Sequence, residues 1–338
     1  MKALVYTAPG RVEMKDVPLP HAGTGEVLVR VLAAGVCGVD LHGFKGTSSR
    51  IHPPAILGHE VVGVVASASA GNNGLWLGER VVVNPLLPCG DCPECGQSRP
   101  NLCRRLRLLG TDGLPGAFAE FVRVSAACVL PCPPHLSDGA ALAAEPLANA
   151  IHLMNVADPK PEARIVVFGA GVQGILFLQL ARARGCSSIA VVDRQPSRLE
   201  IARRLGAELT VLSSTDNVEA VCDRWSDGCG ADLVVEAAGA EETRRASVRV
   251  LRPGGRLVLL GLQRPEGLLA FDTVVRRELD LRGSFGYTPQ DFAASLKALA
   301  DGEVSLEAWT RTMPLEEGQR ALEVLGHQGS VLKIALVP

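Results

Sequence analysis

Short apolar runs, with single polar or glycine positions among them, recur through the first half of the chain. Such runs cover residues 26–32, 60–66, 79–83 and 119–124, and glycine and proline separate them at short intervals. Short runs of this kind are typical of β-strands, and the glycines and prolines mark the turns between them. The pattern predicts a β-rich first domain, built as a partly open barrel or sandwich.

Near residue 147 the pattern changes to apolar strands that alternate with helical stretches. This alternation predicts parallel strands joined by right-handed crossovers, and hence a doubly wound sheet. In the tail, residues 291–338, we predict two helices and a last strand at 331–336. The predicted strands of the sheet are 164–168, 189–193, 209–212, 233–236 and 256–261, and its predicted helices are 172–184, 196–205, 218–225 and 242–251.

Composition agrees with an ordinary globular protein of two domains. The chain has 338 residues, 47% of them hydrophobic and 21% charged, which is enough for a sizeable core at about 100–200 residues per domain. The net charge is −2, and apart from a short basic stretch at residues 104–107 the charges are dispersed. We therefore expect no nucleic-acid partner, since such proteins cluster lysine and arginine on one face.

Neither a secretory signal nor a membrane span is predicted. The first residues form a short strand-like run without the charged and apolar regions of a signal peptide. No uncharged apolar stretch reaches the roughly 18 residues that a spanning helix needs. We expect a cytoplasmic protein without a membrane partner, in which the ten cysteines stay reduced and serve as metal ligands or core residues.

A glycine-rich segment follows the first strand of the predicted parallel sheet. It has the pattern GxGxxG between a strand and a helix, and Asp193 closes the next strand about 20 residues later, as in dinucleotide-binding units. The glycines allow close approach of the backbone to a pyrophosphate, which then faces the positive end of the helix. The candidate cofactor-binding residues are Gly169, Gly171, Val172, Gln173, Gly174, Asp193, Arg194 and Arg198.

The type of dinucleotide depends on the residues that end the second strand. Asp193 is expected to accept hydrogen bonds from the adenosine ribose and to repel a 2′-phosphate, which favours NAD. Arg194 is the competing signal, because an arginine at that place can bind the phosphate of NADP. We predict NAD, with NADP as the less favoured cofactor.

Four cysteines in one loop predict a structural metal site. Cys89, Cys92, Cys95 and Cys103 have short CxxC steps that bring thiolates around one ion, and four sulfurs complete a tetrahedral zinc site. No coordination position stays open, so the role is structural. An iron–sulfur cluster is the alternative, although ferredoxin runs continue with a shorter step and a proline.

A second set of possible ligands is scattered along the chain. It consists of Cys37, the pair His59 and Glu60, and Glu145, which precedes a proline. Sulfur, nitrogen and oxygen donors together suit a zinc ion that keeps an exchangeable position. Taken singly, a lone cysteine or histidine is more often a core residue, and Glu145 could be an acidic residue at a helix start.

Taken together, these motifs resemble the zinc-containing medium-chain alcohol dehydrogenases, and within them the sorbitol, threonine and galactitol-phosphate dehydrogenase branch. The resemblance rests on the Gly58-His59-Glu60 motif, the Gly78–Val81 segment, the four-cysteine loop, Glu145-Pro146-Leu147, the glycine loop and the strand at Lys333. It implies a GroES-like catalytic domain at residues 1–147, a Rossmann domain at 148–285 and a return segment at 286–338. It also implies a homotetramer, or less commonly a dimer.

By this resemblance Cys37, His59 and Glu145 hold a catalytic zinc, and Glu60 is a further or exchanging ligand. The implied activity is transfer of hydride from a polyol, sugar alcohol or other secondary alcohol to NAD. The ion would lower the pKa of the substrate hydroxyl, and the alkoxide would then deliver the hydride. Alternatives are a threonine-type or 2-hydroxy-ketone dehydrogenase, or a catalytically weak zinc- and NAD-binding homologue.

Two positions depart from the family pattern. Val39 stands where the family usually has serine or threonine to pass the substrate proton toward solvent, and valine cannot take part in a hydrogen bond. Asp40 and His42 are the neighbours that could replace it, although His42 could equally be a loop or adenosine-side residue. Gly286 stands where sorbitol dehydrogenases resemble one another in having arginine, which argues against sorbitol itself as substrate.

Overall fold

The computed structural model describes residues 1–71, 74–306, 310–327 and 331–338. Its strands, in chain order, are β1 (Lys2–Ala8), β2 (Arg11–Asp16), β3 (Glu26–Val36), β4 (Ala55–Ile56), β5 (Glu60–Ala68), β6 (Arg80–Val83), β7 (Leu86–Leu87), β8 (Arg107–Leu108), β9 (Phe121–Ser125), β10 (Val129–Pro131), β11 (Ile165–Phe168), β12 (Ile189–Asp193), β13 (Leu209–Leu212), β14 (Ala231–Glu236), β15 (Leu251–Leu259), β16 (Asp280–Gly283), β17 (Thr310–Pro314) and β18 (Lys333–Val337).

The helices complete the secondary structure. They are α1 (Gly38–Phe44), α2 (Pro93–Gly96), α3 (Asp138–Ala141), α4 (Ala144–Ala157), α5 (Val172–Ala183), α6 (Pro196–Arg204), α7 (Val218–Trp225), α8 (Glu241–Val250), α9 (Phe271–Arg276), α10 (Pro289–Ala300) and α11 (Gly318–His327). In the described part of the chain, no helix combines the length and the apolar character needed to cross a membrane.

The chain forms two compact units, Met1–Glu145 with Thr288–Pro338, and Pro146–Tyr287. The first unit is the β-rich one. Its main sheet has the order β10-β6-β5-β3-β18-β17, and β9 also pairs with β3. Because β18 comes from the end of the chain and pairs antiparallel with β3, the tail belongs structurally to the first half.

Aliphatic side chains fill the interior of the first unit. Val29, Val31 and Val65 from paired strands lie beside Phe118 and Ile334 in one buried cluster. Most positions of β3, β5 and β6 are buried, which is why these strands appear in the sequence as apolar runs. The predicted β-rich class of this unit is confirmed.

The second unit is a parallel sheet with the order β13-β12-β11-β14-β15-β16. All its neighbours pair parallel. The chain runs outward from β11 through β12 to β13 and then returns to β14 on the other side, so the strand order reverses between β11 and β14. In such doubly wound sheets the ligand binds at the carboxyl ends of the strands at this reversal. The predicted Rossmann class is confirmed.

Candidate active site and metal centres

Two neighbouring strands of the first unit place Cys37 and His59 together. Cys37 follows β3 directly and begins α1, whereas His59 directly precedes β5. β3 and β5 are antiparallel, with Gly35 opposite Glu60, so the end of one strand meets the start of the other. As a result, one ligand atom each from Cys37, His59 and Glu60 lie within 4.8 Å of one another.

Two potential ligand atoms of this group are buried without a hydrogen-bond partner among the described residues. His59 is 2% exposed and Glu60 is 0% exposed, yet His59 Nδ1 and Glu60 Oε2 have no hydrogen-bond partner. A buried polar atom without a partner is costly, and a bound cation would remove that cost. Sulfur, imidazole nitrogen and carboxylate oxygen are all ligands of zinc, so the residues present fit this ion.

Asp40 organises the backbone around this group. Its Oδ2 accepts a hydrogen bond of 2.8 Å from the Cys37 amide, and its Oδ1 accepts one of 3.0 Å from the Gly58 amide. Oδ1 also lies 3.7 Å from His59 Nδ1. Burial disfavours the charged form of His59, but the nearby charges of Asp40 and Cys37 raise its pKa well above the usual value.

The two relay candidates differ in their surroundings. Asp40 is 1% exposed and both its oxygens are engaged, so its position suits orientation of the ligands better than proton release. His42 lies exposed on α1, and its Nδ1 is 3.2 Å from the hydroxyl of Thr47. Val39 is 37% exposed and offers no polar atom to a relay.

A buried ion pair lies behind the group. Lys333, the first residue of β18, is 3% exposed; its Nζ lies 2.5 Å from Glu60 Oε1 and donates to the Val36 carbonyl at 3.3 Å. Burial disfavours its ammonium, but Glu60, Cys37 and Glu145 act against burial and the pKa of Lys333 is raised. Sequence reasoning missed this pair because no local pattern links two residues so far apart.

Glu145 lies near this pair but outside the convergent group. It is 8% exposed in the first turn of α4, and its charge acts on Lys333. Among the described residues, the set with converging ligand atoms contains Glu60 and not Glu145. The geometry thus brings Cys37 and His59 together with Glu60, and the role of Glu145 as a ligand stays a prediction.

The four-cysteine loop converges as a second group. The sulfur atoms of Cys92 and Cys95 lie 3.5 Å apart, those of Cys103 and Cys89 3.4 Å, and those of Cys89 and Cys95 4.0 Å. Zinc–sulfur bonds of about 2.3 Å in a tetrahedron place sulfurs about 3.8 Å apart. A four-iron cluster would hold them farther apart, since each cysteine binds a different iron. The spacing therefore fits one zinc ion.

The glycine loop follows β11 at the point where the strand order reverses. Gly169 has φ +101°, a conformation that favours glycine. Gly174 lies in the first turn of α5, and a Cβ added there would lie 1.9 Å from the Gly169 carbonyl oxygen. Gly171 precedes α5, whose first residues are Val172 and Gln173, and provides no side-chain cap. Because Gly171 has no side chain to cap them, the first amides of α5 can face a pyrophosphate, which binds to uncapped amides at the start of a helix.

Asp193 ties the second strand to this loop. It is the last residue of β12 and 8% exposed; its Oδ2 accepts from the Ala170 amide at 2.8 Å and its Oδ1 from the Gln195 amide at 2.9 Å. Arg198 Nη1 lies 4.0 Å from Asp193 Oδ2. Arg194 is exposed and lines a cavity of about 650 Å³ together with acidic residues 241, 242 and 266.

Sequence reasoning also missed Glu236, which ends β14. It is 0% exposed and its Oε1 accepts hydrogen bonds from the amides of Ala238 and Gly239 and from the Thr243 hydroxyl. Burial raises the pKa of this carboxyl group. Its position in the sequence could have identified it, because it is an acidic residue at the end of an apolar strand, and that strand pairs with the strand of the glycine loop.

Comparison with known proteins identifies two family matches along the chain. Residues 23–134 match the family described as the alcohol dehydrogenase GroES-like domain, and residues 171–301 match the family described as zinc-binding dehydrogenase. D-xylulose reductase A from Aspergillus oryzae is 32% identical over 335 residues, which are 96% of this chain and 94% of that protein.

Two solved structures extend this likeness to three dimensions. A zinc-binding dehydrogenase from Sinorhizobium meliloti 1021, bound to NADP, has a TM-score of 0.92 and 30% identity over 100% of this chain and 99% of its own. Galactitol-1-phosphate dehydrogenase from Escherichia coli has a TM-score of 0.92 and 27% identity over 100% of both chains.

Proposed function

We propose, because this chain belongs to the zinc-containing medium-chain alcohol dehydrogenase family, that it transfers hydride between the CH–OH group of a polyol or sugar alcohol and NAD. The observation that carries the proposal is the convergence of Cys37, His59 and Glu60 on one buried point. The chain also has a glycine loop at the strand reversal of a parallel sheet. A metal centre and a dinucleotide site together are what such a reaction needs.

The protein side of the reaction is distributed over a few side chains. Cys37 and His59 would hold zinc together with Glu60, and Asp40 fixes the backbone of both segments through the amides of Cys37 and Gly58. Zinc bound there supplies a Lewis acid that lowers the pKa of an alcohol hydroxyl, and NAD supplies the hydride acceptor. Glu145 is a further candidate ligand from α4.

The proton of the substrate hydroxyl needs a route that does not use residue 39. His42 is exposed and hydrogen-bonded to Thr47, and an imidazole is a common proton-transfer group in enzymes. We propose His42, or water next to it, as the acceptor. The buried Asp40, with both oxygens engaged, serves to orient the ligands.

NAD is the proposed cofactor in preference to NADP. The carboxylate of Asp193 ends β12, where it would meet the adenosine ribose and repel a 2′-phosphate. Arg194 and Arg198 are the residues that would favour NADP. The similar S. meliloti dehydrogenase was solved with NADP bound. The cavity beside Arg194 has three glutamates and a second arginine, Arg264, in its lining, so it is not a purely basic site of the kind that a 2′-phosphate needs.

We further propose a cytoplasmic homo-oligomer, a tetramer or a dimer. In the structure all ten cysteines are free thiols, which agrees with a reducing compartment. The second unit exposes Leu262, Leu268, Phe271 and Val275 with 70–75% of their surface. An exposed apolar patch of this kind is typical of a protein–protein contact.

The experiment is NADH formation, followed by absorbance, with zinc-loaded protein and a panel of polyols, sugar phosphates, threonine, 2-hydroxy-ketones and simple secondary alcohols. We expect turnover with one polyol class and a loss of at least 1000-fold in Cys37→Ser, which removes the sulfur ligand. Preference for threonine or a hydroxy-ketone would support the alternative dehydrogenase class instead.

Two matched histidine variants test the proposed route of the proton. His42→Ala should lower turnover about 10- to 100-fold if His42 transfers the proton, whereas His52→Ala, at another exposed histidine, should leave it unchanged. Wild-type protein that binds zinc and NADH but turns over no member of the panel would contradict the proposed activity and favour a catalytically weak homologue.

A further inference from the structure

Glu236 is a buried carboxylate that the proposed chemistry does not use. Its Oε1 carries three hydrogen bonds, from the Ala238 amide at 3.0 Å, the Gly239 amide at 2.7 Å and the Thr243 hydroxyl at 2.8 Å. Its Oε2 has no hydrogen-bond partner, and Arg244 Nε lies 4.0 Å away. One oxygen thus accepts hydrogen bonds from the backbone at 238 and 239, in the segment 237–239 that follows β14.

The same segment is also held from the side of β15. The Glu236 carbonyl accepts hydrogen bonds from the amides of Leu260 and Gly261 at 2.9 and 3.0 Å. A Cβ on Gly261 would lie 2.1 Å from the Gly239 nitrogen, and a Cβ on Gly239 would lie 2.5 Å from the Gln263 nitrogen. Close packing of the two backbones leaves the segment no room to move toward the residues that follow β15, and the two hydrogen bonds resist movement away from them.

On its other side the segment meets the glycine loop. Phe168 and Glu236 are partners in the parallel pairing of β11 with β14, and the Ala237 amide donates to the Phe168 carbonyl at 2.9 Å. A Cβ on Gly169 would lie 3.1 Å from the Ala238 nitrogen. The conformation of the loop and the position of segment 237–239 therefore depend on each other.

We propose that Glu236 is a positioning residue of the dinucleotide site, which fixes segment 237–239 against the glycine loop and so sets the affinity for the nicotinamide cofactor. The inference rests on the proposed function to the extent that the glycine loop binds NAD. Glu236 is fully buried, so it acts through the backbone and not by touching the cofactor.

The hydrogen-bond pattern gives a specific expectation for substitutions. Glu236→Gln keeps a carbonyl oxygen at the position that carries all three bonds, and so it should bind NADH nearly as the wild type does. Glu236→Ala removes the acceptor and leaves the amides of Ala238 and Gly239 without it, so the segment loses the contact that fixes its position. We expect the dissociation constant for NADH to rise about 10- to 100-fold in Glu236→Ala, with a smaller rise in Thr243→Val.

The experiment is fluorescence titration of the full-length protein with NADH, together with zinc content, thermal melting and steady-state kinetics. The expected result is a raised dissociation constant and a raised KM for NAD, with kcat at saturating NAD and zinc content close to wild type. Rescue by glutamine separates the hydrogen-bonding role from a general need for a buried charge.

Two outcomes would overturn the inference. In the first, Glu236→Ala melts at a lower temperature but binds NADH with wild-type affinity, so that the role of Glu236 is purely structural. In the second, Glu236→Gln loses as much affinity for NADH as the alanine variant. If Glu236→Ala fails to fold, Thr243→Val decides between the two roles. An unchanged dissociation constant for NADH in Thr243→Val would contradict the positioning role of Glu236. Absence of NADH binding in the wild type would instead contradict the proposed function.

Discussion

At the scale of single residues, Glu60 and Lys333 form a buried ion pair in the first unit. Both side chains are almost fully buried, at 0% and 3% exposure, and Nζ lies 2.5 Å from Oε1. Gly35, opposite Glu60 in the sheet, makes room for the carboxylate, because a Cβ there would lie 2.0 Å from Oε2. Removing one partner leaves a buried charge uncompensated.

Lys333→Met should therefore lower the free energy of unfolding by about 3–5 kcal/mol, seen as a lower melting temperature by circular dichroism. The double variant Glu60→Gln/Lys333→Met should recover most of this loss, since it leaves no unpaired charge. Melting with and without a chelator separates the ion pair from metal binding. A single variant as stable as the wild type would show that the pair contributes nothing.

The sequence could indicate which residues are candidate metal ligands, but not which of the carboxylates lies beside Cys37 and His59. Cys37 and His59 are recognisable because each lies at the end of an apolar strand, in motifs that resemble a known family. Whether Glu60 or Glu145 joins them depends on strand register and on the start of α4, neither of which is encoded locally. The partner of Glu60 lies 273 residues further along the chain, beyond any spacing rule.

At the scale of elements, the turn from β11 into α5 shows how closely a helix can pack on a strand exit. Gly174 contacts the Gly169 carbonyl so closely that a Cβ would lie at 1.9 Å, whereas a Cβ on Gly171 would meet nothing within 4 Å. The two glycines therefore have different roles. Gly174 allows the packing of α5, and Gly171 leaves space above the loop for a pyrophosphate.

Gly174→Ala should lower stability by about 1–3 kcal/mol through overpacking and should also weaken NADH binding. Gly171→Ala is the matched control, because it should leave the melting temperature unchanged and weaken only NADH binding. The measurements are thermal melting without cofactor and fluorescence titration with NADH. Equal melting temperatures for the two variants would contradict this division of roles.

Element prediction from the sequence succeeds where burial is uniform and fails where tertiary contacts decide. The strands at 164–168, 189–193 and 233–236 are confirmed as β11, β12 and the end of β14, because strands covered on both faces form uninterrupted apolar runs. By contrast, α1 and β17 were not predicted. α1 is too short for a periodic pattern and depends on capping by Asp40, and β17 forms only by pairing with β18.

At the scale of the whole molecule, we propose the outer strand of the parallel sheet as a contact surface in the proposed homo-oligomer. In the described sheet, β16 is an outer strand with β15 as its neighbour. Antiparallel pairing of β16 with itself about Leu281 would place Asp280 of each copy opposite Arg282 of the other. Phe271 and Val275, one turn apart on α9, are 70% and 74% exposed.

Phe271→Asp should shift the protein toward smaller species in light scattering coupled to size exclusion, because a charge in a desolvated contact is costly. Trp76→Asp is the matched control, since Trp76 is 72% exposed but belongs to the other unit. An unchanged mass in Phe271→Asp, or a monomeric wild type, would contradict the proposed contact at this edge.

The strand that closes the sheet of the first unit, β18, also has a consequence for biosynthesis. Glu60 leaves the ribosome 273 residues before Lys333, and at about 5–20 residues per second this interval is roughly 14 to 55 seconds. The segment translated in between contains all of Pro146–Tyr287, so the nascent Rossmann unit can fold first. The first unit gains the counter-charge of Glu60 only after the whole Rossmann unit has been translated, and until then the nascent chain carries a carboxylate that solvent or a chaperone must accommodate.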